Sequence, residues 1–139
     1  MTMTRNDVKV GDSRTEVLTE DLSRTQIVQY AGASGDYNPL HSDEVFVKEV
    51  AGYPTVFAHG MLTMGMTGRL LTDWFGAGNL VSYGVRFSKQ VWPGDRLEAT
   101  GTIEAIRTEE GVTLADVVVS TKNQDGDEVL SGRATARLT

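Results

Sequence analysis

Asp36 and His41 stand five residues apart in the run Tyr30-Ala-Gly-Ala-Ser-Gly-Asp36-Tyr-Asn38-Pro39-Leu-His41. Such spacing brings a carboxylate and an imidazole into one turn. Within reach of one water, that pair can take a proton and hand one back, which is general acid–base chemistry. A second run, Ala58-His59-Gly60-Met61-Leu62, sets the only other histidine directly before a glycine. Where Gly60 opens a helix, its N–H lacks an intrahelical acceptor and points, with the helix dipole, at any anion developing there. Glycine suits this donor because no side chain blocks an approaching carbonyl oxygen. An acid/base pair beside an oxyanion donor is what chemistry at a thioester requires.

Each motif also has a plainer explanation. Asp36 and Asn38 are turn formers that commonly satisfy local backbone groups, and His59 is equally suited to a packed position at a helix-capping turn. A calcium loop fails on inspection: its glycine position holds His41 and its last ligand position holds Val47. Two histidines and Asp36 form a sparse zinc set, so no metal is expected, although a His-His-Asp arrangement stays geometrically open. Met61, Met64 and Met66 suit core filling better than ligation. Arg86 and Lys89 are the cations placed to meet an anionic carrier, or they are simply solvated at a strand end.

The elements that must position these residues are legible from periodicity. Val8 to Val17 holds a short strand ending near Leu18. Thr19-Glu20-Asp21 offers caps for a helix over Leu22 to Ala31, which Gly32 to Gly35 breaks. Ser34 to Pro39 should be irregular. Ser42-Asp43-Glu44 starts a further short helix, which Gly52-Tyr53-Pro54 ends. Phe57 to Phe75 is the only long apolar segment and reads as a helix buried on nearly every face. Alternation then marks strands over Leu80 to Phe87, Leu97 to Ala105, Leu114 to Thr121 and Leu130 to Leu138. Helices followed by an antiparallel meander make an α+β domain with one buried helix against a sheet.

Composition narrows the class. The 139 residues suit a single domain over 1–139. A net charge of -6 without a basic run argues against nucleic-acid binding. Absence of cysteine removes disulfides and thiolate nucleophiles. A polar amino terminus and the lack of a membrane-length apolar run point to a cytoplasmic protein with no membrane association.

Taken together, Tyr30-Ala-x-x-Ser-Gly-Asp36-x-Asn38-Pro39-x-His41 and His59-Gly60-Met61-Leu62 resemble the MaoC-like dehydratase family, the (R)-specific enoyl thioester hydratases. Val85-Arg86-Phe87 and Val91-x-Pro93-Gly94-Asp95 extend the resemblance. The run His59 to Gly65 is also similar to the catalytic subunit of mycobacterial (3R)-hydroxyacyl-carrier-protein dehydratases. The resemblance implies a hot-dog fold, an antiparallel sheet wrapped around a long central helix, and dimerisation. It implies a hydro-lyase that hydrates trans-2-enoyl-CoA to (3R)-3-hydroxyacyl thioesters, and the reverse, as in fatty acid metabolism. Asp36 and His41 would hold the water, Asn38 and His59 would support them, and Gly60 would polarise the thioester carbonyl. No cofactor is expected beyond the coenzyme A or carrier thioester, whose phosphates Arg86 and Lys89 would meet.

Three alternatives follow from the same residues. One is the catalytic subunit of a heteromeric carrier-protein dehydratase, a heterodimer with a second hot-dog chain instead of a homodimer. A hot-dog thioesterase would need its water aimed at C1. A non-catalytic acyl-binding protein would leave the coincidence of Asp36, His41 and Gly60 without a purpose.

Overall fold

The computed structural model describes residues 3–139, so the first two residues of the expected 1–139 domain lie outside the described residues. In chain order the elements are β1 (Ser13–Thr19), α1 (Arg24–Ser34), a short 3-10 turn (Pro39–His41), α2 (Glu44–Glu49) and α3 (Gly60–Phe75). The strands β2 (Leu80–Phe87), β3 (Leu97–Glu109), β4 (Val112–Lys122) and β5 (Glu128–Leu138) complete the chain. No helix among the described residues is long and apolar enough to cross a membrane.

All strand pairs are antiparallel, in the order β1-β3-β4-β5-β2. The meander expected from alternation is the β3-β4-β5 part of this sheet. β2 departs from it. Instead of pairing with β3, its sequence neighbour, it crosses to the far edge and pairs with β5, leaving the edge beside β3 to β1. Segment 88–96 makes the crossing, tied down where Ser88 N–H donates to Val129 O and Ala58 N–H to Val91 O. Gly132 is what lets β2 approach: a Cβ there would lie 2.1 Å from Gly84 O. A backbone oxygen so close cannot swing aside, so the position excludes every side chain.

The sheet curves around α3, which touches β1, β2, β3 and β5. Leu70, Leu71, Trp74 and Phe75 of the helix are buried with Leu97, Ala99, Ile103, Val117, Val119, Ala134 and Ala136 of the sheet. Gly101 admits this packing, since its Cβ position is 3.2 Å from Leu70 and 3.4 Å from Trp74. Truncating Leu70 to Ala in such a core costs about 2–5 kcal/mol. Thr67 and Thr121, both fully buried, satisfy each other through a 2.6 Å hydroxyl–hydroxyl hydrogen bond, as buried polar atoms must.

Two helix expectations need correction. The first helix begins after Ser23, which forms a capping box with Gln26, and not at the Thr19–Asp21 caps. Leu22 instead bonds across to the 94–95 turn, its N–H donating to Asp95 O and its carbonyl accepting from Gly94 N–H, and lies outside the helix. The central helix starts at Gly60, not Phe57, and is not buried on every face. Thr63, Thr67, Leu70 and Leu71 face the sheet, whereas Met61 is 56% exposed. Apolar residues around the whole circumference therefore leave an uncovered side near its amino end.

Candidate active site

The turn carrying Asp36 and His41 is built by local chemistry. Gly35 ends α1 in left-handed backbone, φ 75°, and swings the chain out of the helix. Ser34 Oγ then accepts from Asp36 N–H, and Asp36 Oδ1 accepts from Asn38 N–H at 3.2 Å. Asn38 Oδ1 accepts from Leu40 N–H at 3.0 Å and caps the 3-10 turn, with Pro39 in its first position. These are the local bonds a plain surface turn would make. They engage only Oδ1 of the Asp36 carboxylate, and among the described residues Oδ2 has no partner. Asn38 accordingly supports the segment through Leu40 and the backbone; its side chain orients neither Asp36 nor His41 directly.

His41, at the end of that turn, is aimed by a residue far along the chain. Its Nδ1 lies 2.6 Å from Phe57 O. A carbonyl can only accept, so Nδ1 carries the proton and donates, and the Nε2 lone pair is left for a water. Phe57 is itself held by an aromatic cluster with Tyr53 and Trp92, ring centroids 5.1 and 5.7 Å away. An ion-pair brace spans the base of the turn. The Glu44 carboxylate at the start of α2 accepts from Thr55 and from Arg24 at the start of α1, and Lys48 lies 3.3 Å away. The Thr55 hydroxyl first, then Arg24, draws the Glu44 carboxyl down to about 2.

His59 is buried directly behind His41. The two rings stack with centroids 3.9 Å apart and planes 27° from parallel, and Tyr30 meets His59 edge-on at 4.8 Å. His59 Nε2 lies 3.1 Å from Asp36 O. Burial lowers the basicity of this ring. One carboxylate oxygen of Asp36 and one ring nitrogen each of His41 and His59 lie within 4.8 Å of one another. The three polar groups therefore meet in one place. It is a poor metal cage, because ligand lone pairs lie in the ring planes and nearly parallel stacked rings send them side by side.

His59 immediately precedes Gly60, the first residue of the 16-residue helix α3. Gly60 N–H has no acceptor among the described residues, so it is an open donor at the positive end of a long helix dipole. Beside it opens a cleft of ≈ 350 Å³ lined by Gly60, Thr63, Phe87, Lys89, Val91 and Val129, among others. The Phe87 ring stands over Gly60, with three ring atoms 3.1–3.2 Å from the glycine's Cβ position.

Of the residues expected in the site, Asp36, His41 and His59 come together and Gly60 follows in the chain. The two cations separate. Lys89 lines the cleft and is ion-paired with Asp127, which raises its basicity. Arg86 pairs with Ser131 on the face of β2 opposite Phe87, directed away from the cleft, and forms no ion pair among the described residues. Sequence reasoning did not assign Phe57, Tyr30 or Phe87 to the site. Phe57 acts through its carbonyl, which leaves no signature in a sequence, whereas the place of Phe87 inside the matched Val85-Arg86-Phe87 run was a usable signal.

The family model described as MaoC like domain matches residues 5–125. The chain is 36% identical over 134 residues to the mitochondrial 3-hydroxyacyl-[acyl-carrier-protein] dehydratase of Arabidopsis thaliana, covering 94% of this chain and 78% of that protein. It is 33% identical over 135 residues to an (R)-specific enoyl-CoA hydratase of Rhodospirillum rubrum, covering 95% and 89%. Against 3-hydroxyacyl-thioester dehydratase Y of Mycobacterium tuberculosis it is 46% identical over 67 residues, 46% of this chain, and spans only 23% of that longer protein. The fold matches the R-hydratase PhaJ1 structure from Pseudomonas aeruginosa with a TM-score of 0.83 at 20% identity, covering 99% and 88% of the two chains. Five antiparallel strands around a central helix make this a hot-dog fold. The chain belongs to the MaoC-like dehydratase family, a family of hydro-lyases.

Proposed function

We propose that this chain is a single-domain (R)-specific hydratase, adding water across the double bond of a trans-2-enoyl thioester to give the (3R)-3-hydroxyacyl thioester, and running the reverse dehydration. The observation that carries this is the open Gly60 N–H directly following a histidine whose ring contacts both Asp36 and His41. An oxyanion donor thus follows in the chain directly on the ring that touches the acid/base pair.

Water held between the Asp36 carboxylate and His41 Nε2 gives up a proton to this pair as its oxygen bonds to C3. The π electrons of C2=C3 move toward the thioester carbonyl, and Gly60 N–H stabilises the resulting enolate oxygen. Collapse of the enolate takes the proton back at C2. The sum is one water added, with no oxidant, metal or organic cofactor consumed. A preorganised donor of this kind is worth about two to three powers of ten in rate.

The thioester is carried on coenzyme A or on a carrier protein, with Lys89 the cation nearest the cleft. The protein works as a homodimer. Val81 at 54%, Phe87 at 47% and Met61 at 56% exposure leave apolar surface along the β2 edge and the start of α3, and an open strand edge calls for cover. The same surface suits a second hot-dog chain in a heteromeric carrier-protein dehydratase, which activity of the purified chain alone would oppose. Incubation with a 2-enoyl thioester in D₂O tests the chemistry. A (3R) product with deuterium on the same face at C2 supports one acid/base pair acting on one face. A (3S) product, or thiol release without hydration, overturns it.

A further inference from the structure

His59 is almost fully buried, at 2% exposure, yet among the described residues its Nδ1 has no hydrogen-bond partner. A buried polar atom left unpaired costs stability, so its retention needs a reason. The other nitrogen supplies one. Asp36 O can only accept, so the 3.1 Å contact requires the proton on His59 Nε2, and Nδ1 keeps a bare lone pair. Protonating Nδ1 would bury a charged N–H without an acceptor, against the face of His41. Around the ring stand the Asp36 carbonyl, the His41 and Tyr30 rings and, in the cluster within 4.8 Å, an Asp36 carboxylate oxygen. The carboxylate favours a charged ring and burial opposes it more strongly, and among the described residues none of these groups hydrogen-bonds Nδ1.

We propose that His59 is the positioning residue of this site: a permanently neutral, Nε2-protonated ring that fixes the Asp36 carbonyl and carries the His41 ring. Its own backbone delivers the Gly60 amide. This deepens the hydratase reading and rests on it for the kinetic consequences. One side chain thereby ties the acid/base turn, 23 residues earlier in the chain, to the oxyanion donor in the next residue. The ordinary capping role is not in play, because His59 makes no side-chain cap to α3. Neutrality serves the chemistry, since the His41 ring becomes an imidazolium when it takes a proton, and a charged His59 stacked on it would oppose that step.

Two measurements test the assignment. Imidazole ¹⁵N shifts of the wild-type protein should show His59 as the Nε2–H tautomer, unchanged between about pH 5 and about pH 9. An Nδ1–H tautomer, or an imidazolium within that range, overturns the proposal whether or not the protein is a hydratase. In steady-state kinetics, His59→Leu should lower kcat by about 10²-fold with little change in KM, as expected when reacting groups are misplaced. His59→Gln keeps an N–H for Asp36 O and should recover about tenfold of that loss. Wild-type kcat in His59→Leu, or equal kcat in both variants, contradicts it. A His59→Leu chain that fails to fold leaves His59→Gln and the tautomer to decide. Wild-type protein inactive on every enoyl thioester defeats the hydratase reading and leaves the tautomer test standing.

Discussion

His41 and Phe57 are joined by a 2.6 Å hydrogen bond from the imidazole Nδ1–H to a main-chain carbonyl. The bond links the end of the Asp36 turn to the segment leading into α3. It also decides which nitrogen of His41 is left free. Since the acceptor is backbone, no substitution at position 57 removes it, and the tautomer is set by the path of the chain.

Gly60→Ala should reduce kcat by about 10²-fold without unfolding the protein. Its new Cβ stands beside the open amide and 3.1 Å from the Phe87 ring. Adding Phe87→Leu should relieve the packing and recover the thermal midpoint, yet leave kcat low. Recovery of kcat in the double variant would move the defect from the amide to the aromatic roof.

Asn38→Ala should slow the reaction less than any change to the acid/base pair. The Asn38 side chain accepts from Leu40 N–H, and losing a cap of this type costs about 1 kcal/mol. A rate loss matching that of His41→Ala would give Asn38 a direct part in the chemistry.

Glu44→Gln should destabilise the fold near neutral pH and have progressively less effect in acid. Bonds to Thr55 and Arg24 hold the Glu44 carboxyl at about 2, against an ordinary value of 4.5. A depressed carboxyl contributes stability in full above 4.5, and the contribution is lost as pH falls through about 2. Thermal melts of both proteins across this window check the sign. A difference that grows in acid would refute it.

Chelators should leave turnover unchanged. The stacked His41 and His59 rings, 27° from parallel, do not converge on one ion, and His59 Nε2 is committed to Asp36 O. Loss of activity that zinc restores would reinstate the His-His-Asp metal site.

Much of this arrangement is legible in the chain because it is local. The Asp36 turn declares itself through Ser34, Gly35, Asn38 and Pro39, which form the bonds their types predict. Alternation in β3, β4 and β5 likewise maps onto buried and exposed faces. Non-local pairing does not declare itself. Nothing in Leu80 to Phe87 says that it seeks β5 instead of β3, and the signal lies in Gly132, whose lack of a side chain has meaning only beside Gly84. The one-sided burial of α3 was hidden for a related reason, since an apolar residue on an open face, such as Met61, looks in the sequence like a core residue. The face that Arg86 takes is set by its place in β2, one residue before Phe87 and opposite Ser131, which its residue type alone does not declare. His59 looked like either a cap or a packed ring, and only its contact with a carbonyl far along the chain separates those roles.

The most direct measurement follows the ultraviolet absorbance of crotonyl-CoA and longer 2-enoyl-CoA thioesters mixed with wild-type protein, Asp36→Asn and His41→Ala. Wild-type protein should bleach the conjugated absorbance. Each variant, folded to the same extent, should be slower by about two to four powers of ten, the usual contribution of a positioned acid or base. Bleaching by either variant at the wild-type rate would contradict the account.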